Sequence, residues 1–206
     1  MDFYQFEREA QAAGCRCVCG ADEAGAGPLA GPVYAAAVIL PLDLELRYLN
    51  DSKQVTPKRR DALFDEIRQR AVAWAVASVS AEEIDEWDIL NARIRALQLA
   101  IDRLAPAADF ALVDGNRDHG SRCALVTPHR LLVKGDSRSA SIAAASILAK
   151  VSRDRYMEEL DRQYPQYGFC KHKGYGTKLH YQMLDTYGPS PVHRKSFLKK
   201  WEAKRK

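Results

Sequence analysis

Four carboxylates in this 206-residue sequence occupy positions where they could support catalysis. Asp22 and Glu23 are adjacent and open the glycine-rich stretch GADEAGAGPLAGPV, while Asp114 lies in LVDGN and Asp136 in VKGDS. An all-carboxylate ligand set, without His or Cys, suits a hard divalent cation such as Mg²⁺ or Mn²⁺. Two such ions, about 4 Å apart, can clamp the attacking and leaving oxygens of an in-line phosphoryl displacement. The residue types therefore predict metal-assisted phosphoryl chemistry.

Each acid also has an ordinary structural explanation. An Asp before Gly is usually a turn residue, an Asp before Ser-Arg-Ser is more often a cap, and an Asp-Glu pair is commonly exposed. The metal prediction depends on their joint position, because each follows a predicted strand. Adjacent strands of one sheet would bring such ends within metal-bridging distance.

The glycines that follow the acid pair do not form a nucleotide-binding loop. Gly25, Gly27 and Gly31 have one residue too many for the G-x-G-x-x-G fingerprint, and Pro28 and Pro32 flank its second half. No Gly-Lys-Ser/Thr follows, which excludes a P-loop as well. The pattern favours strand, loop, strand, and the adjacent acids would repel a phosphate unless a cation stood between them.

Hydrophobic periodicity predicts the elements that must position these acids. Strands are predicted at 15–22, 33–40, 71–79, 109–113 and 130–134, with helices at 1–13, 90–104 and 139–163. Another helix should begin at Thr56-Pro57, with Thr56 as its cap and Pro57 in its first turn. The segment 165–206 reads as helical with Gly/Pro breaks. We therefore expect an α/β fold in which helices flank a mixed β-sheet.

Charge is unevenly distributed along the chain, although the net charge is only +4. From Arg194 to the end there are seven Lys/Arg against one acid, and residues 171–178 read KHKGYGTK. Basic segments next to an acidic cluster suit a polyanion held over a metal site. For the last few residues alone, a solvated helical tail is the simpler interpretation.

Cysteine usage and hydropathy restrict the class of protein further. Alternation places Cys15, Cys17 and Cys19 on one face of the predicted strand, which does not fit a zinc knuckle. An odd count of five cysteines and no secretory signal predict reduced thiols and a cytoplasmic location. The longest apolar run, 33–42, contains a proline and is too short to span a membrane.

The motifs closely resemble those of the ribonuclease HII family, the type 2 ribonucleases H. The matching stretches run nearly end to end in family order: GADEAGAGPLAGPV, LNDSKQV, ILNA, LVDGN, KGDSRSASIAAASILAKVSRDR, HKGYGT and GPSPVHRKSF. The resemblance implies a ribonuclease H-like catalytic domain at 1–165 and a C-terminal helical substrate-binding segment at 166–206. It also implies a monomer. The C-terminus shows no clear clamp-binding motif, which leaves a clamp partner open.

The activity implied by the resemblance is that of a hydrolase in ribonucleotide removal from DNA. Such an enzyme cuts the RNA strand of RNA/DNA hybrids and incises duplex DNA 5′ of an embedded ribonucleotide, leaving 3′-hydroxyl and 5′-phosphate ends. By resemblance, Asp22, Glu23, Asp114 and Asp136 are the ligands of two ions, Mg²⁺ or Mn²⁺. Water on one ion attacks the phosphorus, and the second ion stabilises the leaving 3′-oxygen.

The same resemblance suggests residues that contact the substrate. Tyr175 matches the family tyrosine that stacks near the RNA–DNA junction, and the Gly25–Gly27 backbone matches the groups that read the 2′-hydroxyl, which distinguishes RNA from DNA. Lys53 is expected to contact the nucleic-acid backbone, and Arg194 and Lys195 are expected to contact phosphates.

One departure concerns the glycine loop. The family usually has Gly-Arg-Gly where this chain has Gly25-Ala26-Gly27, through natural divergence or through substitution. The glycine backbone groups survive this change, but the arginine's charge and phosphate contact are lost. A lost charged hydrogen bond costs about 1.5–3 kcal/mol, or tenfold and more in affinity. We expect weaker substrate binding and looser discrimination at the ribonucleotide.

Three other functions account for less of the sequence. A resolvase- or integrase-like nuclease could use the same fold and acids, but the Tyr175 segment and GPSPVHRKSF argue against it. A binding-only module is suggested by Ala26 alone, and all four acids are present. A dinucleotide-dependent oxidoreductase fails with the loop pattern.

Overall fold

The computed structural model describes residues 2–49 and 55–205 of the chain. The described residues form one five-stranded sheet from β1 (Val18–Ala24), β2 (Val33–Ile39), β3 (Ala73–Val79), β4 (Phe110–Asp114) and β5 (His129–Leu132). Its strand order is β3-β2-β1-β4-β5. The β1–β2 and β2–β3 pairs are antiparallel, whereas β1–β4 and β4–β5 are parallel. The predicted mixed sheet is confirmed.

Eight α-helices complete the described part of the fold. They are α1 (Gln5–Ala12), α2 (Pro57–Arg70), α3 (Ala81–Trp87), α4 (Ile89–Asp102), α5 (Ala140–Gln163), α6 (Phe169–His172), α7 (Lys178–Tyr187) and α8 (Lys195–Ala203). Short 3-10 turns lie at 135–137 and 165–167. Within 2–49 and 55–205, no helix has the length and apolar character needed to cross a membrane.

Helices cover both faces of the sheet because small residues in its strands allow close approach. In β2, Ala35 and Ala37 belong to the core beside α4, and Ala36 belongs to the core beside α5 and α2. This alternation follows the two-residue period of a strand. At Gly20 in β1, a Cβ would lie 2.1 Å from the carbonyl carbon of Ser141. The start of α5 therefore lies directly on β1, close to the turn that carries Asp136.

The C-terminal helices pack on the β1–β2 loop and on the second half of α5. Their core joins residues from both parts of the chain: Leu29, Ala30, Met157, Leu160, Tyr167, Phe169, Leu184 and Leu198. The helical character predicted for this segment agrees with the structure. The division into a catalytic domain at 1–165 and a substrate-binding segment at 166–206 stays a prediction.

The structure corrects three local expectations. The first strand begins at Val18, so Cys15 and Cys17 precede it, and the prediction that both lie on a strand face was wrong. The Asp109 carboxylate explains this, because it accepts hydrogen bonds from the backbone amides of Arg16 and Cys17.

The other two corrections concern helix starts. Thr56 is the N-cap of α2, with Pro57 in the first turn as predicted, but its side chain makes no capping hydrogen bond within the described residues. Helix α3 was not predicted, although Ser80 and Glu83 form a capping box at its start.

Candidate active site

The four predicted carboxylates meet at one edge of the sheet. Asp22 and Glu23 lie directly before Ala24, the last residue of β1, and Asp114 ends β4, which runs parallel to β1 with Ala21 opposite Val113. Asp136 lies in the 3-10 turn that follows β5. Because β1, β4 and β5 are parallel neighbours, their carboxyl ends point to the same edge. All four acids line one cavity of about 340 Å³.

Burial and neighbouring negative charges raise the pKa of Asp22 and of Glu23. Burial, and then the charges of Glu23 and Asp114, hold the pKa of Asp22 well above its usual range. Burial also raises the pKa of Glu23, although the nearby Arg93 guanidinium opposes this rise. Asp22 is 8% exposed, so water screens this repulsion poorly. Such a site is stabilised by a cation or by protons.

Hydrogen bonds or an ion pair orient Asp22, Glu23 and Asp114. Asp114 Oδ1 accepts a bond of 2.6 Å from the amide of Gly135, and Asp22 Oδ1 accepts one of 2.7 Å from the amide of Glu23. Glu23 Oε1 lies 2.5 Å from Arg93 Nη2. The other oxygen of Glu23, Oε2, is buried and has no hydrogen-bond partner among the residues that the structure describes.

These features fit a divalent cation. An orphaned buried carboxylate oxygen beside like charges needs a positive partner, and an all-oxygen donor set suits Mg²⁺ or Mn²⁺. In the described part of the chain, however, no three His, Cys, Asp or Glu side chains already form a metal-binding group. The acids line one cavity without yet forming such a group.

Two buried arginines hold the glycine loop between β1 and β2. The guanidinium of Arg194 donates to the carbonyl oxygens of Gly31, Ala26 and Gly25 at 2.9, 2.9 and 2.7 Å. Arg153 donates to the carbonyl oxygens of residues 30, 32 and 173. Burial, and then the nearby Arg153, lower the pKa of Arg194 to about 9. These hydrogen bonds to its carbonyl oxygens therefore hold the loop in place.

Gly25 allows this close approach. Its φ is +95°, a conformation that favours glycine, and a Cβ there would lie 2.0 Å from Arg153 Nε. Gly27 lies beside the Tyr175 ring, since its Cβ would be 3.8 Å from Tyr175 Cε1. Gly25, Ala26 and Gly27 all line the acidic cavity, and their contact with a substrate stays a prediction.

The other predicted substrate-contacting residues differ in their exposure to solvent. Tyr175 lines the cavity and is 46% exposed, so its ring is accessible at the rim. Arg194 is fully buried, and the prediction that it contacts a phosphate does not fit this placement. Lys195 is exposed at the start of α8, so its phosphate contact stays a prediction. Lys53 lies outside the described residues.

Sequence reasoning did not single out three cations at the site. Lys150 and Arg153 line the cavity from α5, and Arg93 reaches Glu23 from α4. Lys150 also forms an ion pair of 2.6 Å with Asp154. The available signal was spacing, because Lys150 and Arg153 lie three residues apart on a helix that starts just after Asp136.

Comparison with known protein families gives a match over most of the chain. Residues 19–200 match the family described as Ribonuclease HII. A protein named Ribonuclease HII from Geobacillus kaustophilus is 53% identical over 196 residues, which cover 95% of this chain and 74% of that protein.

Solved structures give the same result for the fold. The ribonuclease H2 from Pyrococcus horikoshii OT3 has a TM-score of 0.75 at 26% identity, covering 92% of this chain and 98% of that one. The RNase HII of Archaeoglobus fulgidus, solved in complex with PCNA, has a TM-score of 0.71 at 28% identity and covers 87% and 94% of the two chains.

Proposed function

Because this chain belongs to the ribonuclease HII family of metal-dependent endoribonucleases acting on RNA/DNA hybrids, we propose its specific reaction. It cuts the RNA strand of such hybrids and incises duplex DNA on the 5′ side of a single embedded ribonucleotide. The products carry a 3′-hydroxyl and a 5′-phosphate.

One observation carries this proposal. Four carboxylates, the glycine loop and the Tyr175 ring line a single cavity, so reacting groups and recognition groups face the same space. A substrate phosphate over the acids would place its neighbouring sugars beside the loop and the ring.

Asp22, Glu23, Asp114 and Asp136 would hold two divalent ions, Mg²⁺ or Mn²⁺. When bound, such ions activate water and stabilise the leaving 3′-oxygen. The chain itself keeps the acids in place through the Gly135 amide on Asp114 and the Arg93 guanidinium on Glu23.

The glycine loop and Tyr175 would recognise the ribonucleotide. Since Arg194 engages the carbonyl oxygens of Gly25 and Ala26, the backbone groups that remain for a substrate are the N–H donors. N–H donors can bind a 2′-hydroxyl, which a deoxyribonucleotide lacks. The Tyr175 ring can pack on the next sugar and disfavour a 2′-hydroxyl there.

The alanine at position 26 weakens this recognition. It is only partly buried and lines the cavity, so an arginine side chain there could reach a phosphate. Without it, the loop supplies backbone donors but no charge.

The test uses an end-labelled DNA duplex that contains one ribonucleotide, incubated with Mg²⁺ or Mn²⁺. We expect a single cut on the 5′ side of the ribonucleotide, and no cut in a matched all-DNA duplex. A cut on the 3′ side would contradict the proposed position. Cleavage of all-DNA junctions would instead support a different nuclease on this fold.

A sliding clamp is a candidate protein partner. The Archaeoglobus relative is solved with PCNA, and a clamp partner of this chain would be tested by co-elution with a sliding clamp. That the chain acts as a monomer stays a prediction.

A further inference from the structure

Three histidines form a buried chain next to Tyr175. His172, His180 and His193 are 7%, 0% and 2% exposed. The rings of His172 and His180 stack at 4.3 Å between centroids, and the Nε2 atoms of His180 and His193 lie 3.0 Å apart. The nuclease chemistry proposed above uses none of these rings.

The partners of each ring specify which nitrogen carries the proton. A neutral imidazole has one donor and one acceptor nitrogen, and a carbonyl oxygen can only accept. His172 Nε2 lies 2.9 Å from the carbonyl oxygen of Tyr167, so Nε2 carries the proton. Its Nδ1 is then free to accept the amide of Gly174, at 3.2 Å.

The same argument fixes the other two rings. His180 Nδ1 lies 3.0 Å from the carbonyl oxygen of Tyr175, so Nδ1 donates and Nε2 must accept. His193 therefore donates from Nε2 to His180. His193 Nδ1 in turn accepts from the amide of Ser190 at 3.0 Å and from its hydroxyl at 2.8 Å. All these contacts agree with three neutral rings, of which His193 donates to His180 while His172 stacks on His180.

At one end, the series of three histidine rings contacts the backbone that carries the Tyr175 ring. The amide of Tyr175 donates to the carbonyl oxygen of His172, and its carbonyl oxygen accepts from His180. The preceding residue, Gly174, is held by His172 Nδ1 and accepts at its own carbonyl oxygen from the amide of Leu29. The backbone on both sides of the ring is thus bound to the histidine chain.

The other end of the chain meets the glycine loop. His193 pairs with Ala30 as an isolated β-bridge, and its neighbour Arg194 binds the carbonyl oxygens of Gly25 and Ala26. The histidines therefore connect the loop on one side of the cavity with the tyrosine on its rim.

We propose that His172, His180 and His193 are positioning residues which, as neutral rings in a fixed donor–acceptor order, hold the Tyr175 ring against the glycine loop at the acidic cavity. This inference rests on the proposed role of Tyr175 in binding the ribonucleotide. A proton added to His180 would place two donors, its own Nε2 and that of His193, face to face.

The surroundings of the rings favour the neutral forms. Burial lowers the pKa of His180 and of His193 to about 4. Burial also lowers the pKa of His172, although Asp161 on α5 opposes this. The other ionisable ring in contact is Tyr167, at 4.9 Å from His193 between centroids.

The first test is a double-mutant cycle between His180 and Tyr175, read as kcat/KM on the duplex with one ribonucleotide. His180→Leu removes the donor to Tyr175, whereas His180→Asn retains an N–H near the Nδ1 position and cannot be protonated. We expect about a tenfold loss for His180→Leu, less than about threefold for His180→Asn, and almost no further loss from His180→Leu in a Tyr175→Ala background.

The outcomes separate this inference from the proposed function. If Tyr175→Ala alone leaves kcat/KM unchanged, the role of Tyr175 in substrate binding fails. If Tyr175→Ala lowers kcat/KM and the His180→Leu loss adds to it in full, the positioning role of the histidines is wrong.

A second measurement applies even if His180→Leu does not fold. Nitrogen-15 NMR of histidine-labelled wild-type protein at pH 6 should show three neutral rings, protonated at Nε2 in His172 and His193 and at Nδ1 in His180. In a sample that also carries carbon-13-labelled tyrosine rings, acidification towards pH 4 should shift these signals together with those of the Tyr175 ring. A doubly protonated ring among His172, His180 and His193 at pH 6, or a Tyr175 ring that does not respond, would overturn the proposal.

Discussion

The guanidinium of Arg194 donates a hydrogen bond of 2.9 Å to the carbonyl oxygen of Ala26, from a position with no exposure to solvent. The family arginine is missing from position 26, but the hydrogen bond from Arg194 still holds the backbone at that position. The shape of the loop therefore depends on Arg194, and the charge that the loop presents depends on residue 26.

Substitution of Arg194 should destabilise the protein. Arg194→Met removes the donor from the carbonyl oxygens of Gly31, Ala26 and Gly25, and a buried carbonyl left without a donor costs about 1–3 kcal/mol. We expect a lower free energy of unfolding in urea and a higher KM for the ribonucleotide duplex. Lys199→Met on α8 is the matched control, because its side chain is exposed. Equal effects of the two substitutions would contradict the role given to Arg194.

Ala26→Arg should strengthen substrate binding. A regained charged hydrogen bond is worth about 1.5–3 kcal/mol, or about tenfold and more in kcat/KM at limiting substrate. The slope of log affinity against log salt should also steepen by about one, since one more phosphate is neutralised. Ala26→Gln controls for side-chain size. Similar rates for wild type and Ala26→Arg would refute this account of the loop.

Glu7 should matter for stability, because it binds the start of the helix that follows Asp136. Its Oε1 accepts hydrogen bonds from the hydroxyls of Ser139 and Ser141, both at 2.6 Å, and from the Ser141 amide at 3.0 Å. Glu7→Ala leaves these donors buried, and we expect a loss of about 2–4 kcal/mol in the free energy of unfolding. Glu9→Ala, at an exposed ion pair with Arg130, should cost much less, because water and salt screen an exposed pair.

Stability should fall on acidification through the buried histidines. The pKa of His180 and His193 drops from 6.5 to about 4 on folding, so the unfolded chain takes up protons that the folded chain resists. The contribution of the two histidines to the free energy of unfolding should therefore fall as pH falls from about 6.5 towards about 4, whereas protonation of Asp22 and Glu23 acts in the opposite direction. His180→Asn should reduce this slope, because it removes one of the two buried rings. The measurement is urea denaturation across this pH range without metal.

Sequence reasoning could find what depends on local pattern. Strand ends carrying Asp22, Asp114 and Asp136 could be predicted because periodicity locates strands, and parallel neighbours bring their carboxyl ends together. The start of β1 was misplaced because a long-range contact, the Asp109 carboxylate on the amides of Arg16 and Cys17, decides it.

The supporting contacts of the site lie beyond local pattern. Arg194 was expected to contact a phosphate because it lies in a basic stretch, yet tertiary packing places it under the glycine loop. The pairing of His180 with His193 joins a helix to a later loop 13 residues away, and no spacing rule predicts it. The contact of Arg93 on α4 with Glu23 on β1 is also a tertiary contact that no spacing rule predicts.

The central claim is that the four-carboxylate cavity is the metal-dependent catalytic centre. The most direct test titrates Mn²⁺ by calorimetry into metal-free wild type, Asp22→Asn and Asp65→Asn, and assays cleavage of the ribonucleotide duplex with the same samples. Asp65 is an exposed acid on α2 and serves as the control. We predict that Asp22→Asn loses Mn²⁺ binding and cleavage together, while Asp65→Asn retains both. Wild-type-like Mn²⁺ binding or cleavage by Asp22→Asn would contradict the claim.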